Sequence, residues 1–334
     1  MWIKVHFPQL KSDIVSGKVG GLVLEKIILD CDPGHDDAIA MMIAVANPNI
    51  ELLAVTTSAG NQMPGRTLTN AMSLLTLMKR QDIPVASGDK KPLMRDLITG
   101  VSMHGVTGLD GADLPHPDFF AQNVPATELI ARVLQEQDDP VTIVVTGPCT
   151  NIALFLSVHP ELVNSIKQIV IMGGGMGLGN WEPTTEFNIL VDPEAAKIVF
   201  DSGVPIVLAP LNVAFEAQLL DEDVKKINKI TNPVGEAVSG LVAYYGIAFG
   251  QDRWGFKGLP LYDPCTIAWL IDPDMFEGRV CNVEIETKGE LTSGETIIDY
   301  YNMTHRKKNA NVLFHINREK FAHLVISSLE SFDN

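Results

Sequence analysis

The stretch KIILDCDPGHDDAIAMMIAVAN, residues 26–47, decides how the rest of the chain is read. Residues 26–31 form a short apolar run closed by acids, the pattern of a strand buried on both faces. Pro33-Gly34 breaks that run. From Asp36 the apolar spacing becomes helical, with acids in the first turn and a stop at Asn47-Pro48. A buried strand that turns sharply into a helix is the unit of a parallel α/β sheet.

Working outward, the same alternation recurs. Residues 51–57 (ELLAVTT) read as the next strand and residues 67–80 as the next helix. Further buried strands are predicted at 141–146 and 169–172, each followed by glycine or proline, then a helix at 193–202 and a strand at 206–209. After residue 220 the pattern changes. A helix is predicted over 233–249, a loop bearing glycine and aromatics over 251–264, and a short apolar helix over 265–271. Late strands follow at 279–287 and 311–316, with a terminal helix from 317.

The expected architecture is therefore one α/β domain over 25–334, with a mostly parallel central sheet, helices on both faces and a mixed C-terminal extension. Residues 1–24 fit neither element nor signal peptide and are read as a leader or extension. Ligands of such sheets sit beyond the carboxyl ends of the strands. The acidic cluster, Thr146 and the loop after Met172 all fall there.

Composition narrows the partners. The 334 residues are 46% hydrophobic, enough for a large core. With 25 basic against 41 acidic residues the net charge is -16, which repels polynucleotides and acidic membranes and leaves a small molecule as substrate. The four cysteines, at 31, 149, 265 and 281, form no CxxC pair, so neither a zinc ribbon nor a disulfide framework is expected. Reduced thiols and the lack of an apolar run of about 20 residues point to the cytoplasm.

Asp30, Asp32, Asp36 and Asp37 crowd four carboxylates into eight residues, which is unfavourable unless a cation compensates. Oxygen-only donors favour a hard ion, calcium or magnesium. Three rivals for this cluster fail or weaken. An EF-hand needs a different ligand spacing. An aspartate-nucleophile phosphatase would carry a hydroxyl or branched residue at Gly34. Gly173 to Gly179 puts Leu178 where a dinucleotide fold needs its last glycine.

The segment Asp30-Cys31-Asp32-Pro33-Gly34-His35-Asp36-Asp37 resembles the DxDPGxDD signature of inosine-uridine preferring nucleoside hydrolases. Further matches follow in order at Ala59-Gly60-Asn61-Gln62, His104-Gly105, Thr146-Gly147-Pro148, Asn151-Ile152-Ala153, Met172-Gly173-Gly174, Gly179-Asn180, Glu186-Phe187-Asn188 and Asp192-Pro193-Glu194. The resemblance spans about residues 26–329 and leans toward the pyrimidine-specific bacterial branch. Singly these residues say little: Asn61 suits a turn and Thr146 any strand end. Their order carries the reading.

The resemblance implies N-glycosidic hydrolysis of ribonucleosides, preferably uridine or cytidine. It implies a Ca2+ ion held by Asp32, Asp37, the carbonyl of Thr146 and Asp263, with Asp32 taking the proton of a calcium-held water and Asn61 beside it. It places Asp36, Asn180, Glu186 and Asn188 around the ribose, with Met172 and Trp254 also in the pocket, and implies a homodimer or homotetramer. One departure is Tyr262, where many members carry a histidine that meets the leaving base; with a pKa near 10, tyrosine is a weaker acid. His104 and Trp254 are the substitutes to consider. A second departure is Leu211-Asn212-Val213-Ala214, where relatives often show an acid and a threonine. Purine specificity, a weakly active nucleoside-binding homologue and a DxD phosphohydrolase stay open. Residues 254–258 are expected to close over substrate.

Overall fold

The computed structural model describes residues 24–249 and 255–333. Trp254 and the expected leader up to residue 23 lie outside the described residues. The strands are β1 (Glu25–Cys31), β2 (Ile50–Thr57), β3 (Val85–Ser87), β4 (Val141–Val145), β5 (Ile166–Met172), β6 (Ile206–Ala209), β7 (Gln218–Leu219), β8 (Leu259–Pro260), β9 (Phe276–Cys281), β10 (Val283–Ile285), β11 (Thr296–Ile298) and β12 (Ala310–Ile316). Eight of them form the central sheet, in the order β3-β2-β1-β4-β5-β6-β12-β9. Every pairing in it is parallel except that of β12 with β9.

Period-two alternation divides the core. Ile27, Leu29 and Cys31 face one apolar cluster and Ile28 the other, so β1 is apolar throughout because both its faces are covered. The first face packs against α1 (His35–Ala46), α2 (Pro64–Leu77), α10 (Pro233–Phe249), α11 (Pro264–Ile271) and α12 (Arg318–Glu330). The second packs against α4 (Ala126–Glu136), α5 (Thr150–Val158) and α7 (Pro193–Asp201). Shorter helices are α3 (Val101–His104), α6 (Phe187–Val191), α8 (Leu211–Ala214) and α9 (Asp221–Ile227). Ile28 is fully buried; truncating it to alanine would cost about 2–5 kcal/mol.

Three local expectations are revised. α2 begins at Pro64, three residues before the predicted start, because proline suits the first helical turn. The late strand predicted over 279–287 is broken at Asn282: β9 joins the central sheet, whereas β10 pairs antiparallel with β11. Asn282 donates to the Lys307 carbonyl, and Asn309 Oδ1 accepts the Val283 N–H, which turns the chain away from the sheet. β8, inside the predicted loop, pairs antiparallel with β7.

Strand order places the site. The chain runs β1, β2, β3 outward and then returns to lay β4 on the other side of β1. Loops after β1 and β4 therefore diverge at their carboxyl ends and open a crevice. Asp32 and Thr146 leave those two strands.

Candidate active site

The floor of this crevice is built by the turn from β1 into α1. Gly34 precedes the first helical residue, and the Asp37 carboxylate reaches back to accept the Gly34 N–H at 3.0 Å and the Asp32 N–H at 3.3 Å. A Cβ on Gly34 would lie 2.6 Å from His104 Nδ1, so glycine is what the packing allows. Asp37 also accepts from Thr146 Oγ1 at 2.7 Å and Asn61 Nδ2 at 3.1 Å, joining three strand ends.

Asp32 is fully buried. Its Oδ2 accepts the Asn61 N–H at 2.6 Å, and its Oδ1 has no hydrogen-bond partner. The backbone encloses it tightly: a Cβ on Gly60 would sit 2.1 Å from Oδ2, and one on Gly147 2.8 Å from Oδ1. Asp263, just before α11, arrives from late in the chain. Its loop docks on the start of α1, where the backbones of Tyr262 and Asp263 hydrogen-bond the Asp36 carboxylate. One carboxylate oxygen each from Asp36, Asp37 and Asp263 lies within 4.8 Å of the others. Asp32 is not one of that trio, although its charge acts on Asp263.

Crowding leaves an electrostatic mark. Burial, then the Asp36 and Asp37 charges, pushes Asp263 well above the usual carboxylate range. Burial and Asp37 do the same to Asp32, against the opposing Asn61 N–H. Asp36 is raised to about 7 by burial and Asp37, and Asp30 to about 7 by burial. Buried carboxylates raised in this way are held with less strain by a divalent cation, and an all-oxygen donor set with the unpartnered Asp32 Oδ1 fits a hard one.

Above the floor lies a cavity of about 250 Å³, the scale of a small-molecule site. It is lined by Asp36, Asn61, His104, Thr146 and Met172, and by Asn180, Glu186, Asn188, Tyr262 and Asp263. Asp32 and Asp37 are buried and do not line it. Glu186 caps α6, accepting the Asn188 and Ile189 N–H groups, and takes the Gly174 N–H as well; burial still raises it to about 7. Asn188 Nδ2 donates to the Thr146 carbonyl at 2.7 Å. Asn180 Oδ1 accepts the Phe187 N–H at 2.9 Å.

His104 stacks in a buried group with His35 and Tyr245, and burial lowers its pKa to about 3. The Asp110 carbonyl accepts from His35 Nε2 at 2.9 Å. Burial raises the Tyr262 hydroxyl well above its ordinary value. Of the expected closing segment, residues 255–258 are described, and Lys257 and Gly258 donate to Gln218 Oε1 at 3.0 and 2.9 Å. Sequence reasoning missed Trp181, Phe187 and Tyr245 in the cavity wall and the enclosing role of Gly60 and Gly147. The two glycines and Phe187 left a trace, inside motifs already noted for their neighbours.

A family model of inosine-uridine preferring nucleoside hydrolases matches residues 27–323. The chain is 53% identical over 306 residues to the pyrimidine-specific ribonucleoside hydrolase RihA of Shewanella oneidensis, covering 92% of this chain and 96% of the relative. A protein of the same name from Enterobacter sp. strain 638 is also 53% identical over 306 residues, 92% and 98% of the two chains. Among solved structures, the purine-preferring ribonucleoside hydrolase from Gardnerella vaginalis superposes with a TM-score of 0.86 at 27% identity, covering 92% of this chain and 99% of that one.

Proposed function

Because the chain belongs to the inosine-uridine preferring nucleoside hydrolase family and is a ribonucleoside hydrolase, we propose that it splits uridine and cytidine into ribose and free base. What supports the reading is the buried group of Asp36, Asp37 and Asp263, drawn from distant parts of the chain, with Asp37 hydrogen-bonded to Thr146 and the Asp32 charge acting on Asp263, at a cavity that Asp36, Thr146 and Asp263 line. The pyrimidine preference rests on the high identity to proteins named for it.

Asp32, Asp37, Asp263 and the Thr146 carbonyl would hold a calcium ion. When bound, that ion supplies Lewis acidity toward the ribose hydroxyls and a water. Asp32 takes the water's proton as general base, with Oδ2 already held by Asn61 and Oδ1 available. Asp36, Asn180, Glu186 and Asn188 orient the ribose, and the Glu186 carboxylate stabilises positive charge developing on the sugar. Met172 packs beside them, and its sulfur lies 3.6 Å from Asn188 Nδ2. Tyr262 and His104 meet the leaving base as hydrogen-bonding groups rather than strong acids, since burial keeps both neutral.

Residues 25–334 are read as one domain, because the central sheet draws strands from Glu25 to Ile316. Among the described residues no helix is long and apolar enough to cross a membrane. A cytoplasmic homodimer or homotetramer is proposed on the family resemblance, and light scattering of the purified chain tests the assembly.

Assaying uridine, cytidine, inosine and adenosine side by side decides the substrate, with uridine or cytidine expected to give the highest kcat/KM. Best turnover of inosine would overturn the pyrimidine assignment. Asp32→Asn should lower kcat by about 10²- to 10⁴-fold while ribose still binds. Phosphate release from nucleotides without base release from nucleosides would favour phosphohydrolysis instead.

A further inference from the structure

Asn212 does not line the cavity, and the proposed chemistry leaves it without a role. It stands at the start of α8, and its carboxamide pairs with the backbone of Met176 in both directions. Oδ1 accepts the Met176 N–H at 2.8 Å, and Nδ2 donates to the Met176 carbonyl at 3.2 Å. Beside it the Leu211 N–H donates to the Gly174 carbonyl at 2.9 Å. The start of α8 thus forms an edge along which the loop after β5 is hydrogen-bonded.

That loop needs outside support. Gly174 and Gly177 adopt φ of +66° and +97°, and Gly177 has open space where a side chain would be. Met176 and Leu178 are 38% and 65% exposed, so little apolar burial holds the crest. Past the crest the loop folds back: the Asn180 N–H donates to the Thr185 carbonyl at 3.2 Å, and Asn180 and Trp181 reach the cavity.

We propose that Asn212 is a positioning residue for substrate, fixing through Met176 the glycine-rich loop that carries Asn180 and Trp181 to the pocket. The inference rests on the ribosyl site proposed above. A carboxamide is the group this contact requires. Met176 presents one donor and one acceptor side by side, and only a side chain with both can satisfy the two. Aspartate has the same size but only acceptors, so its second oxygen would face the Met176 carbonyl oxygen and repel it. At position 212 the neutral amide therefore forms a two-point clamp that an acid cannot.

The test compares Asn212→Asp and Asn212→Ala with the wild type in the full chain. It reads uridine kinetics, ribose affinity by calorimetry and amide hydrogen exchange over residues 174–182. Loss of one or two exposed hydrogen bonds should raise KM and the ribose Kd about 3- to 10-fold in both variants. On the same grounds kcat should stay within about twofold, and exchange at Met176 and the following amides should quicken about tenfold in Asn212→Ala. Wild-type behaviour of Asn212→Asp would overturn the proposal, as would a fall in kcat at constant KM or unchanged exchange in Asn212→Ala. If the wild type binds ribose and the variants match it, this inference fails alone; a wild type that binds no ribose sinks the functional reading as well.

Discussion

The floor and the rim of the cavity are built from the same chain by different physics. On the floor, Asp32, Asp37 and Asp263 are at most 3% exposed; Asp32 accepts the Asn61 N–H, and Asp37 accepts the Asp32 and Gly34 N–H groups of its own turn and the Thr146 hydroxyl from the end of β4. Gly60 and Gly147 close on Asp32 so tightly that neither position tolerates a methyl group in place. On the rim, the crest around Met176 is exposed, open around Gly177 and joined to α8 by the Leu211 contact and one carboxamide. Groups that would hold charge and move a proton need sub-ångström placement, which dense packing supplies. Groups that grip a sugar can be held by a few exchangeable hydrogen bonds.

The contrast is broken most strongly at Gly60. Gly60→Ala forces the Asp32 carboxylate or the Asn61 turn to shift, and displacements of that size lower turnover by about 10²-fold. Steady-state kcat for uridine measures it; wild-type turnover would mean that the floor is softer than its packing implies.

Removing the cation comes next. A ligand that binds only the folded state stabilises it, so chelation should lower the Tm by several degrees, as seen by calorimetry. The pH dependence sharpens this. Asp30, Asp36 and Glu186, at about 7, and Asp32, Asp37 and Asp263, also raised, bind protons more tightly folded than unfolded. Between the ordinary carboxylate range and about pH 7 their contribution to metal-free stability therefore falls as pH rises. His35 and His104, lowered by burial, act in the opposite sense but are two against six. The chelated protein should melt at a higher temperature near pH 5.5 than near pH 7.5, and added calcium should shrink or invert that difference. A chelated protein more stable at the higher pH would contradict the idea of an uncompensated acidic floor.

A smaller effect is expected at the wall. Tyr262→His places an imidazole beside Asp263 and should raise uridine kcat about 3- to 10-fold, whereas Tyr262→Phe removes the hydroxyl proposed to meet the leaving base and should lower kcat. A drop in kcat for Tyr262→His would mark tyrosine as the better partner for the leaving base in this pocket.

Much of the fold was legible in the residues. β4, β6 and the apolar parts of β1 and β5 are nearly continuous runs because both sheet faces are covered. Each is predicted at nearly its observed position except β5, which begins three residues earlier, at Ile166, because Lys167 and Gln168 interrupt the run. The three-residue β3 was too short to leave a period, and Thr150–Val158 (α5) is too uniformly apolar to show a helical face. Most of the acidic floor was legible too, because it is local: four aspartates within eight residues need no partner to be noticed.

Sequence by itself determined the parallel α/β class and, through the ordered motifs, the family; both live in short segments whose side-chain types answer to local backbone geometry. The resemblance alone paired Asp263 with Asp37 across more than two hundred residues, and only the tertiary structure decided that Gly60 and Gly147 enclose Asp32 and that Asn212 clamps Met176. Those contacts depend on how strands are ordered and loops docked. Each involves residue types that recur throughout the chain, so no pattern along it distinguishes the members that meet from those that do not.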